Sequence, residues 1–222
     1  MSEHIVKIIE ATYLTHDVKR FLVEKPKGFT YIPGQATDVS INVPAWKNEL
    51  RPFTFTSLVE WPMLEFTIKI YDDHDGLTKQ LGKTNAGAEL ILHDVFGTIH
   101  YRGPGVFIAG GAGITPFIAI LRTLYKMGNL NDNLLINSNK TVDDIILAQE
   151  LQQMLGNNFI NVLTREGVIG FMERRIDKNL LIDLIHDFSR YFYVCGPEKF
   201  VQDITGILLS LGVSADSLVV EK

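Results

Sequence analysis

The segment Arg51-Pro52-Phe53-Thr54 contains three side chains with different binding chemistry. The guanidinium of Arg51 presents a fork of donors that suits a phosphate group. Phe53 offers a flat apolar surface, and Thr54 offers a hydroxyl. Because side chains alternate along a strand, Arg51 and Phe53 would share one face, and Thr54 would face the other way unless the strand bends. Alone, the segment is also compatible with a strand that carries a surface arginine by chance.

The uncharged segment 109–116 is a glycine-rich turn. Its glycines would let the backbone approach a pyrophosphate closely. Its threonine is a suitable N-cap for a helix, and the proline that follows is a suitable first helical residue. A turn of this composition also occurs where a strand is simply joined to a helix. The residues concerned are Gly110, Gly111, Gly113, Thr115 and Pro116.

A third segment, Val194-Cys195-Gly196-Pro197, lies near the end of the chain. In order and spacing, the three segments together resemble the ferredoxin–NADP reductase family of flavoenzymes, and the resemblance covers nearly the whole chain. It implies a protein that passes electrons between a nicotinamide and another acceptor through a flavin. The family's first motif is Arg-x-Tyr followed by Ser or Thr. Phe53 stands at the tyrosine position here, which keeps the stacking surface and loses a hydroxyl.

The resemblance implies that residues 51–54, Pro52 included, bind the flavin, with Arg51 on a phosphate, Phe53 against the ring and Thr54 near the ring nitrogen N5. The segment Asp75-Gly76-Leu77-Thr78 resembles the family's Gly-x-x-Ser/Thr element with one residue fewer. A helix that begins there would bind a pyrophosphate, which favours FAD over FMN. The alternative is a simple helix start with Asp75 as the N-cap.

The strand before that helix is where the family's backbone meets the adenosine side of the flavin. This implies contacts from Ile68 and Ile70. Tyr71 would stack on the adenine, or it is an ordinary strand aromatic.

The nucleotide preference depends on two predicted strand ends. Residues 137–140 contain no Asp or Glu that would bond the ribose 2′-hydroxyl of NAD. Thr164 and Arg165 resemble the Ser-Arg pair with which NADPH-using reductases hold the 2′-phosphate, and Arg174 and Arg175 would add charge. NADPH is therefore favoured, with NADH possible, unless Arg165 is only a solvated loop charge.

The resemblance places Cys195, Gly196 and Pro197 near the nicotinamide. Cys195 would help to align the carbon that donates hydride, rather than act as a nucleophile. The alternative is a buried cysteine that packs as a small apolar residue. Glu221 matches a family glutamate that would relay a proton towards Thr54. The aromatic residue that often ends family members is absent, so the chain ends in Glu221-Lys222.

Two different patterns along the chain predict the elements that position these residues. Residues 1–102 show short strands separated by turns, which predicts an N-terminal antiparallel β-barrel. The resemblance implies that this barrel binds flavin. Residues 103–222 alternate apolar strands with helices, which predicts a C-terminal α/β domain with a parallel sheet and helices on both faces. The predicted joint is at 102–105. In the first half the predicted strands are 5–9, 18–24, 36–42, 53–57, 64–71 and 89–92, with a helix at 76–81. In the second half they are 106–109, 133–136, 159–163, 191–194 and 217–220, with helices at 115–127, 142–155, 179–188 and 198–211.

Composition excludes several classes of function. The chain has 222 residues and a net charge of −5, which argues against general affinity for nucleic acid. Residues 103–121 carry no charge, but glycines and a proline interrupt them, so no membrane span is expected. The single cysteine excludes an intrachain disulfide and a four-cysteine iron–sulfur cluster, and no pair of His or Cys is spaced for structural zinc. With no signal-peptide pattern at the start, a cytoplasmic protein is expected.

These observations predict an FAD-dependent oxidoreductase that takes electrons from NADPH. Its acceptor would be a flavodoxin, a ferredoxin or an oxygenase component. One alternative is a reductase of free flavin, which binds flavin as a substrate and lacks the pyrophosphate element. Another is a non-enzymatic electron-transfer or nucleotide-sensing subunit of a larger complex.

Overall fold

A computed structural model describes residues 3–97 and 99–220. These residues form two compact units. The first contains residues up to 97, and the second contains residues 99–114 and 121–220. Residues 115–120 group with the first unit. Among the described residues, no helix is long and apolar enough to cross a membrane.

Within residues 3–97, the first unit is an antiparallel sheet with one helix, α1. The sheet order is β4-β3-β6-β1-β2-β5, so β4 and β5 are its two edges. An isolated bridge between Phe55 and Phe66 joins these edges and nearly closes the sheet into a barrel. Its interior is apolar and includes Phe21, Phe55 and Phe66. The elements are β1 (His4–Tyr13), β2 (Val18–Glu24), β3 (Ala36–Ile41), β4 (Arg51–Thr54), β5 (Met63–Lys69), α1 (Leu77–Lys83) and β6 (Glu89–Phe96).

Within residues 99–220, the second unit is a parallel sheet with the order β10-β9-β8-β7-β11-β12. Ile108, Ile136 and Val194 pack with the helices α4 and α5 on one face. The alternating residues, such as Phe107 and Leu135, are also buried and point to the opposite face. The elements are β7 (Gly105–Gly110), α2 (Thr115–Lys126), β8 (Leu134–Asn139), α3 (Ala148–Leu155), β9 (Phe159–Leu163), β10 (Met172–Glu173), α4 (Lys178–Leu184), β11 (Tyr191–Cys195), α5 (Glu198–Ser210) and β12 (Leu218–Val220). Helix α2 belongs to this unit only from Leu121 onwards. The predicted fold class is confirmed.

Two predicted helices differ from the structure. The helix predicted at 142–155 is a 3-10 turn at Val142–Asp144 followed by α3. A capping box of Thr141 and Asp144 begins the turn, and the extended backbone of Ile145 ends it. Leu147 then adopts a left-handed conformation, φ 53°, which an α-helix does not contain. The helix predicted at 179–188 is α4, which ends at Leu184.

Several predicted strands also differ; the strand predicted at 89–92, for example, continues to Phe96. The strand predicted at 53–57 begins at Arg51 and ends at Thr54, because the chain beyond Thr54 leaves β3 and bridges to β5. The strand predicted at 5–9 extends to Tyr13. A bulge between Ile8 and Glu10 lets its second half pair with β2, whereas its first half pairs with β6.

Candidate functional site

The four residues of the first motif form β4, at an edge of the barrel sheet. Arg51 pairs with Val39 and Thr54 pairs with Ala36 on the neighbouring strand. An edge strand tolerates Pro52, which has no N–H to donate to a ladder. Arg51 and Pro52 are exposed, and Phe53 and Thr54 are half-buried. The sequence therefore places a cation and a polar hydroxyl within one short accessible strand.

The side chains of β4 retain binding capacity. One guanidinium nitrogen of Arg51 donates to the backbone oxygen of Leu50 at 2.7 Å, which leaves the remaining N–H groups for a ligand. Phe53 packs partly against the barrel core, so the core holds the ring in place and leaves part of its surface accessible. Among the described residues, the Thr54 hydroxyl has no hydrogen-bond partner. This arrangement fits a planar group that carries a phosphate.

The segment around Tyr71 divides into buried and exposed parts. Ile68 and Ile70 are buried in the barrel core, so only their backbone groups are available to a ligand. Tyr71 is 44% exposed, and its ring centroid lies 5.8 Å from that of His74. The exposed tyrosine is compatible with stacking on a planar base.

Helix α1 begins after Gly76, as the sequence predicted within one residue. The alternative with Asp75 as the N-cap is wrong, because Gly76 is the cap and makes no side-chain bond. Asp75 instead accepts a hydrogen bond from Gln80 at 3.3 Å. Leu77 is buried and Thr78 is half-buried, so this helix start can offer backbone N–H groups and the Thr78 hydroxyl.

Acidic residues precede this helix start. Asp72, Asp73 and Asp75 are exposed, and the His74 ring hydrogen-bonds Asp73 at 2.8 Å. That hydrogen bond holds the pKa of Asp73 below its usual range. The carboxylates are unfavourable for a pyrophosphate at the same end of α1.

The opposite end of α1 rests on a buried lysine that sequence reasoning missed. The Lys19 ammonium donates to the backbone oxygens of Gly82 at 3.0 Å and Thr84 at 2.8 Å. It also lies over the rings of Tyr13 and Phe21. Burial lowers the pKa of Lys19. On a predicted strand, a lysine between Val18 and Arg20 looks like an ordinary solvated charge, so no signal in the sequence marks it.

In the second unit, the turns after β7 and β11 lie directly against each other. A Cβ atom on Gly113 would lie 2.3 Å from the backbone oxygen of Cys195, and one on Gly196 would lie 3.2 Å from the Cα of Gly110. These two strands are neighbours in the sheet, and the chain order reverses between them, which is where open α/β sheets bind ligands. Gly110, Gly113 and Gly196 therefore serve the close approach of two turns.

Gly111 differs from the other glycines of the turn. It has a φ of +55°, and a Cβ on it would have no atom within 4 Å. Its backbone therefore faces open space, where a ligand can reach it. The predicted roles of Thr115 and Pro116 shift by one position. Thr115 is the first residue of α2 rather than its N-cap, because a 3-10 turn at Gly111–Ile114 leads directly into the helix.

The carboxyl ends of β11 and β9 contain the remaining predicted residues. Cys195 is the last residue of β11 and is 5% exposed. At the end of β9, the Thr164 hydroxyl donates to the backbone oxygen of Asn139 at 3.2 Å. Arg165 is exposed, and among the described residues its guanidinium forms no ion pair. Arg174, by contrast, pairs with Asp177 at 2.9 Å.

The end of β8 contains two asparagines whose burial the sequence did not indicate. Asn137 and Asn139 are both buried, and Asn137 donates to the Asn161 side chain at 3.4 Å. Strand β8 ends at Asn139, so the residues at its carboxyl end are Asn137, Ser138 and Asn139, which lie within the segment 137–140 and carry no carboxylate. Glu221, the predicted proton relay, lies outside the described residues.

Comparison with known proteins identifies similar sequences. Residues 107–206 match the family model of the oxidoreductase NAD-binding domain. The ferredoxin–NAD(P)+ reductase component of a naphthalene 1,2-dioxygenase system from Pseudomonas putida is 23% identical, over 97% of this chain and 69% of that protein. A glycine betaine monooxygenase reductase subunit from Pseudomonas aeruginosa is 24% identical, over 94% of this chain and 61% of that protein. This chain therefore spans about two thirds of the length of these relatives.

Other relatives match over more of their length. NADH-cytochrome b5 reductase 1 from Eremothecium gossypii is 28% identical, over 92% of this chain and 78% of that protein. Among solved structures, a ferredoxin NADP+ reductase from Neisseria gonorrhoeae with bound FAD and NADP superposes with a TM-score of 0.88 at 19% identity. That match covers 100% of this chain and 98% of the other.

The barrel, the parallel sheet and the NAD-binding domain define the class of this protein as a two-domain oxidoreductase. Within that class, the matched NAD-binding domain, the similar reductases and the matching fold support the ferredoxin–NADP reductase family. The resemblance inferred from the three sequence segments is confirmed.

Proposed function

We propose that this protein is an FAD-dependent reductase that takes electrons from NADPH, with NADH as a second donor, and passes them to a redox protein. When bound, FAD accepts a hydride from the nicotinamide and releases the electrons singly. The observation that carries the proposal is the accessible set on β4, where Arg51 has free donors beside the half-buried Phe53 and Thr54. In this proposal Arg51 binds a flavin phosphate, Phe53 stacks on the ring, and Thr54 bonds near N5.

The second unit would bind the nucleotide at the carboxyl edge of its sheet. The backbone of Gly111 faces open space and would accept the pyrophosphate of NADPH. The exposed Arg165 would bind the 2′-phosphate, and the neighbouring Thr164 hydroxyl would add a donor only by giving up its bond to the backbone oxygen of Asn139. Cys195, Gly196 and Pro197 would border the nicotinamide, and Glu221 would relay a proton. Arg174 is already paired with Asp177, so it contributes less to phosphate binding than the sequence suggested.

The acceptor is proposed from the relatives. The Pseudomonas putida relative is named as a ferredoxin–NAD(P)+ reductase component of a dioxygenase system, and the Pseudomonas aeruginosa relative as a monooxygenase reductase subunit. A ferredoxin, a flavodoxin or an oxygenase component is therefore the proposed partner of this chain. A cytoplasmic location is part of the proposal, because one cysteine allows no intrachain disulfide of the kind that oxidising compartments favour.

The test is to purify the protein, identify the flavin released by heat and measure NADPH-driven reduction of ferricyanide. We expect bound FAD and turnover without added metal. Protein that contains no flavin and gains no activity when FAD is added would contradict the proposal. So would activity that is lost on iron removal and recovered on adding iron. Binding of NADPH without any turnover would favour a non-enzymatic subunit.

A reductase of free flavin is the second candidate, and one observation favours it. The exposed carboxylates of Asp72, Asp73 and Asp75 precede the start of α1, where they oppose a pyrophosphate. Such an enzyme would bind riboflavin or FMN about as well as FAD and would release the flavin during gel filtration. Retention of FAD through gel filtration, with a clear preference over FMN, would exclude this alternative.

A further inference from the structure

A cluster of polar side chains is buried where the two edges of the barrel meet. We call it the seam cluster, and each member is at most 5% exposed. It connects the chain just after β4 with β5, the opposite edge of the sheet. Its members are Tyr31, Thr56, Ser57, Glu65 and Thr67.

Hydrogen bonds link the members of the seam cluster. The Thr56 hydroxyl donates to Oε1 of Glu65 at 2.7 Å, and the Thr56 backbone N–H donates to the Glu65 backbone oxygen at 2.8 Å. The Glu65 backbone N–H donates to Oγ of Ser57 at 3.0 Å. The Tyr31 hydroxyl lies 2.8 Å from the same Oγ. The Glu65 residue therefore holds both Thr56 and Ser57 through side-chain and main-chain contacts.

Glu65 is only 2% exposed, and acidic residues are rarely buried to this extent. Burying such a group has a free-energy cost unless hydrogen bonds compensate for it. An apolar residue would fill the same space without that cost, so stability alone does not account for a glutamate. What the glutamate adds is a directional side-chain contact between two edges that are also joined by the Phe55–Phe66 bridge and by the bond from the Glu65 N–H to Ser57 Oγ.

The position of the cluster connects it to the proposed flavin-binding strand. Thr56 is two residues beyond Thr54, and the intervening Phe55 is buried and stacked on Tyr31 with ring centroids 4.2 Å apart. The N–H of Phe55 also donates to the backbone oxygen of Gln35 at 3.1 Å. Phe55 is therefore held through its ring by Tyr31 and through its N–H by Gln35. Because it has little freedom to absorb a movement, a displacement of Thr56 would also displace Thr54.

We propose that Glu65 is a positioning residue, which through Thr56 fixes the end of β4 and thereby the placement of Thr54 and Arg51 for the flavin. The inference rests on the proposed function and assigns a role to a residue that does not touch the flavin. It requires that loss of the Glu65 acceptor weakens flavin binding by more than its effect on stability accounts for.

The experiment compares four variants in titrations of the flavin-free protein with FAD. Glu65→Leu removes the acceptor, and Thr56→Val removes the donor of the same bond. Glu65→Gln keeps an oxygen that can accept from Thr56. Val23→Ala is the matched control, because Val23 is fully buried in the barrel on β2 and its truncation lowers stability without removing a hydrogen bond.

We expect the dissociation constant for FAD to rise about tenfold in Glu65→Leu and in Thr56→Val, which is the size of effect that the loss of one buried hydrogen bond produces. Glu65→Gln should stay within about threefold of wild type, and Val23→Ala should bind FAD normally despite a lowered Tm. If Glu65→Leu binds FAD as tightly as Val23→Ala does, the inference is overturned.

Hydrogen exchange of the flavin-free protein gives a second measurement, which does not depend on the proposed function. In Glu65→Leu, the amides of residues 51–57 should exchange faster, and those of Val18–Glu24 should change less. In Val23→Ala, the amides of Val18–Glu24 should be accelerated more than those of residues 51–57. Equal acceleration in both segments would overturn the inference. A different outcome is that amide exchange of residues 51–57 changes as expected but the wild-type protein binds no flavin. In that case the proposed function is wrong and the structural role of Glu65 holds.

Discussion

The two units expose their candidate binding groups in opposite ways. In the barrel, the candidate groups are the side chains of one accessible edge strand, above all Arg51. In the parallel-sheet unit, apart from the side chains of Thr164 and Arg165, they are backbone groups of glycine turns so tightly packed that Gly113 has no room for a side chain beside Cys195. Removing atoms should therefore damage binding in the barrel. Adding an atom should damage the fold itself in the second unit.

The largest expected effect is that of Gly113→Ala. Its Cβ would lie 2.3 Å from the backbone oxygen of Cys195 and 2.5 Å from its carbonyl carbon, so the backbone itself must move. We expect a loss of about 3 kcal/mol in unfolding free energy, at the upper end of the range for overpacking. For a chain of this size that corresponds to a fall in Tm of about 6–12 °C.

The matched control is Gly206→Ala within α5, where a Cβ would meet no atom within 4 Å. This change should stabilise the protein by up to about 1 kcal/mol, because alanine favours the helix. If thermal unfolding shows the same Tm for both variants, the close packing of the two turns has no energetic significance.

Arg51→Ala should weaken FAD binding by about tenfold or more while leaving the Tm nearly unchanged. The reason is the loss of a charge-assisted contact, worth roughly 1.5–3 kcal/mol, at an exposed position. Fluorescence titration with FAD measures the affinity. Lys47→Ala removes an exposed positive charge from the same unit and should leave the affinity as it is. Full flavin retention in Arg51→Ala would show that β4 does not bind the phosphate.

Arg165→Ala should raise the KM for NADPH by roughly tenfold and leave NADH almost unchanged, because only NADPH carries the 2′-phosphate. The kcat at saturating nucleotide should change little, since Arg165 would bind ground and transition states equally. Arg174→Ala is the control, because its guanidinium is already paired with Asp177. Equal losses for both nucleotides would mean that Arg165 has a structural role and that the preference for NADPH is unfounded.

The smallest expected effect is a difference between the units in alkaline solution. Burial lowers the pKa of Lys19 below 10.5, so the unfolded chain binds more protons in the window below that value, and barrel stability rises with pH there. Burial raises the pKa of Tyr193 above 10.0, so the unfolded chain loses that proton first, and stability of the second unit falls with pH.

Denaturant unfolding from about pH 9 to about pH 11 tests this difference. Both tryptophans, Trp46 and Trp61, belong to the barrel unit, so their fluorescence follows that unit. Far-UV circular dichroism follows the helices, and most helices of the described residues lie in the second unit. Tyr193→Phe should reduce the alkaline fall in the circular-dichroism transition and leave the fluorescence transition alone. An identical pH profile for wild type and Tyr193→Phe would contradict the assignment.

The differences between predicted and observed elements share a physical cause. The apolar residues Ile145, Ile146 and Leu147 continue a helical pattern, yet the chain turns there because Leu147 adopts a positive φ that local pattern does not reveal. Threonine is a residue type that favours the N-cap position, but the glycine-rich segment Gly111–Ile114 forms a 3-10 turn that leads directly into α2, so Thr115 lies inside the helix. In both places, packing of the surrounding chain overrides local preference.

The sequence by itself determined the division into strands and βα units, the glycine turns and the accessible Arg51, because these depend on periodicity and residue type within short segments. Only the tertiary structure decided the burial of Glu65 and Lys19. Along β5 the alternation of polar and apolar residues suggested one solvated face, but Leu64 to Ile68 are all buried. A strand at a closing edge is covered on both faces, and the partner that covers it comes from a distant part of the chain. The residues next to an acidic or basic residue in the sequence therefore do not determine whether its side chain is solvated or hydrogen-bonded to a buried hydroxyl.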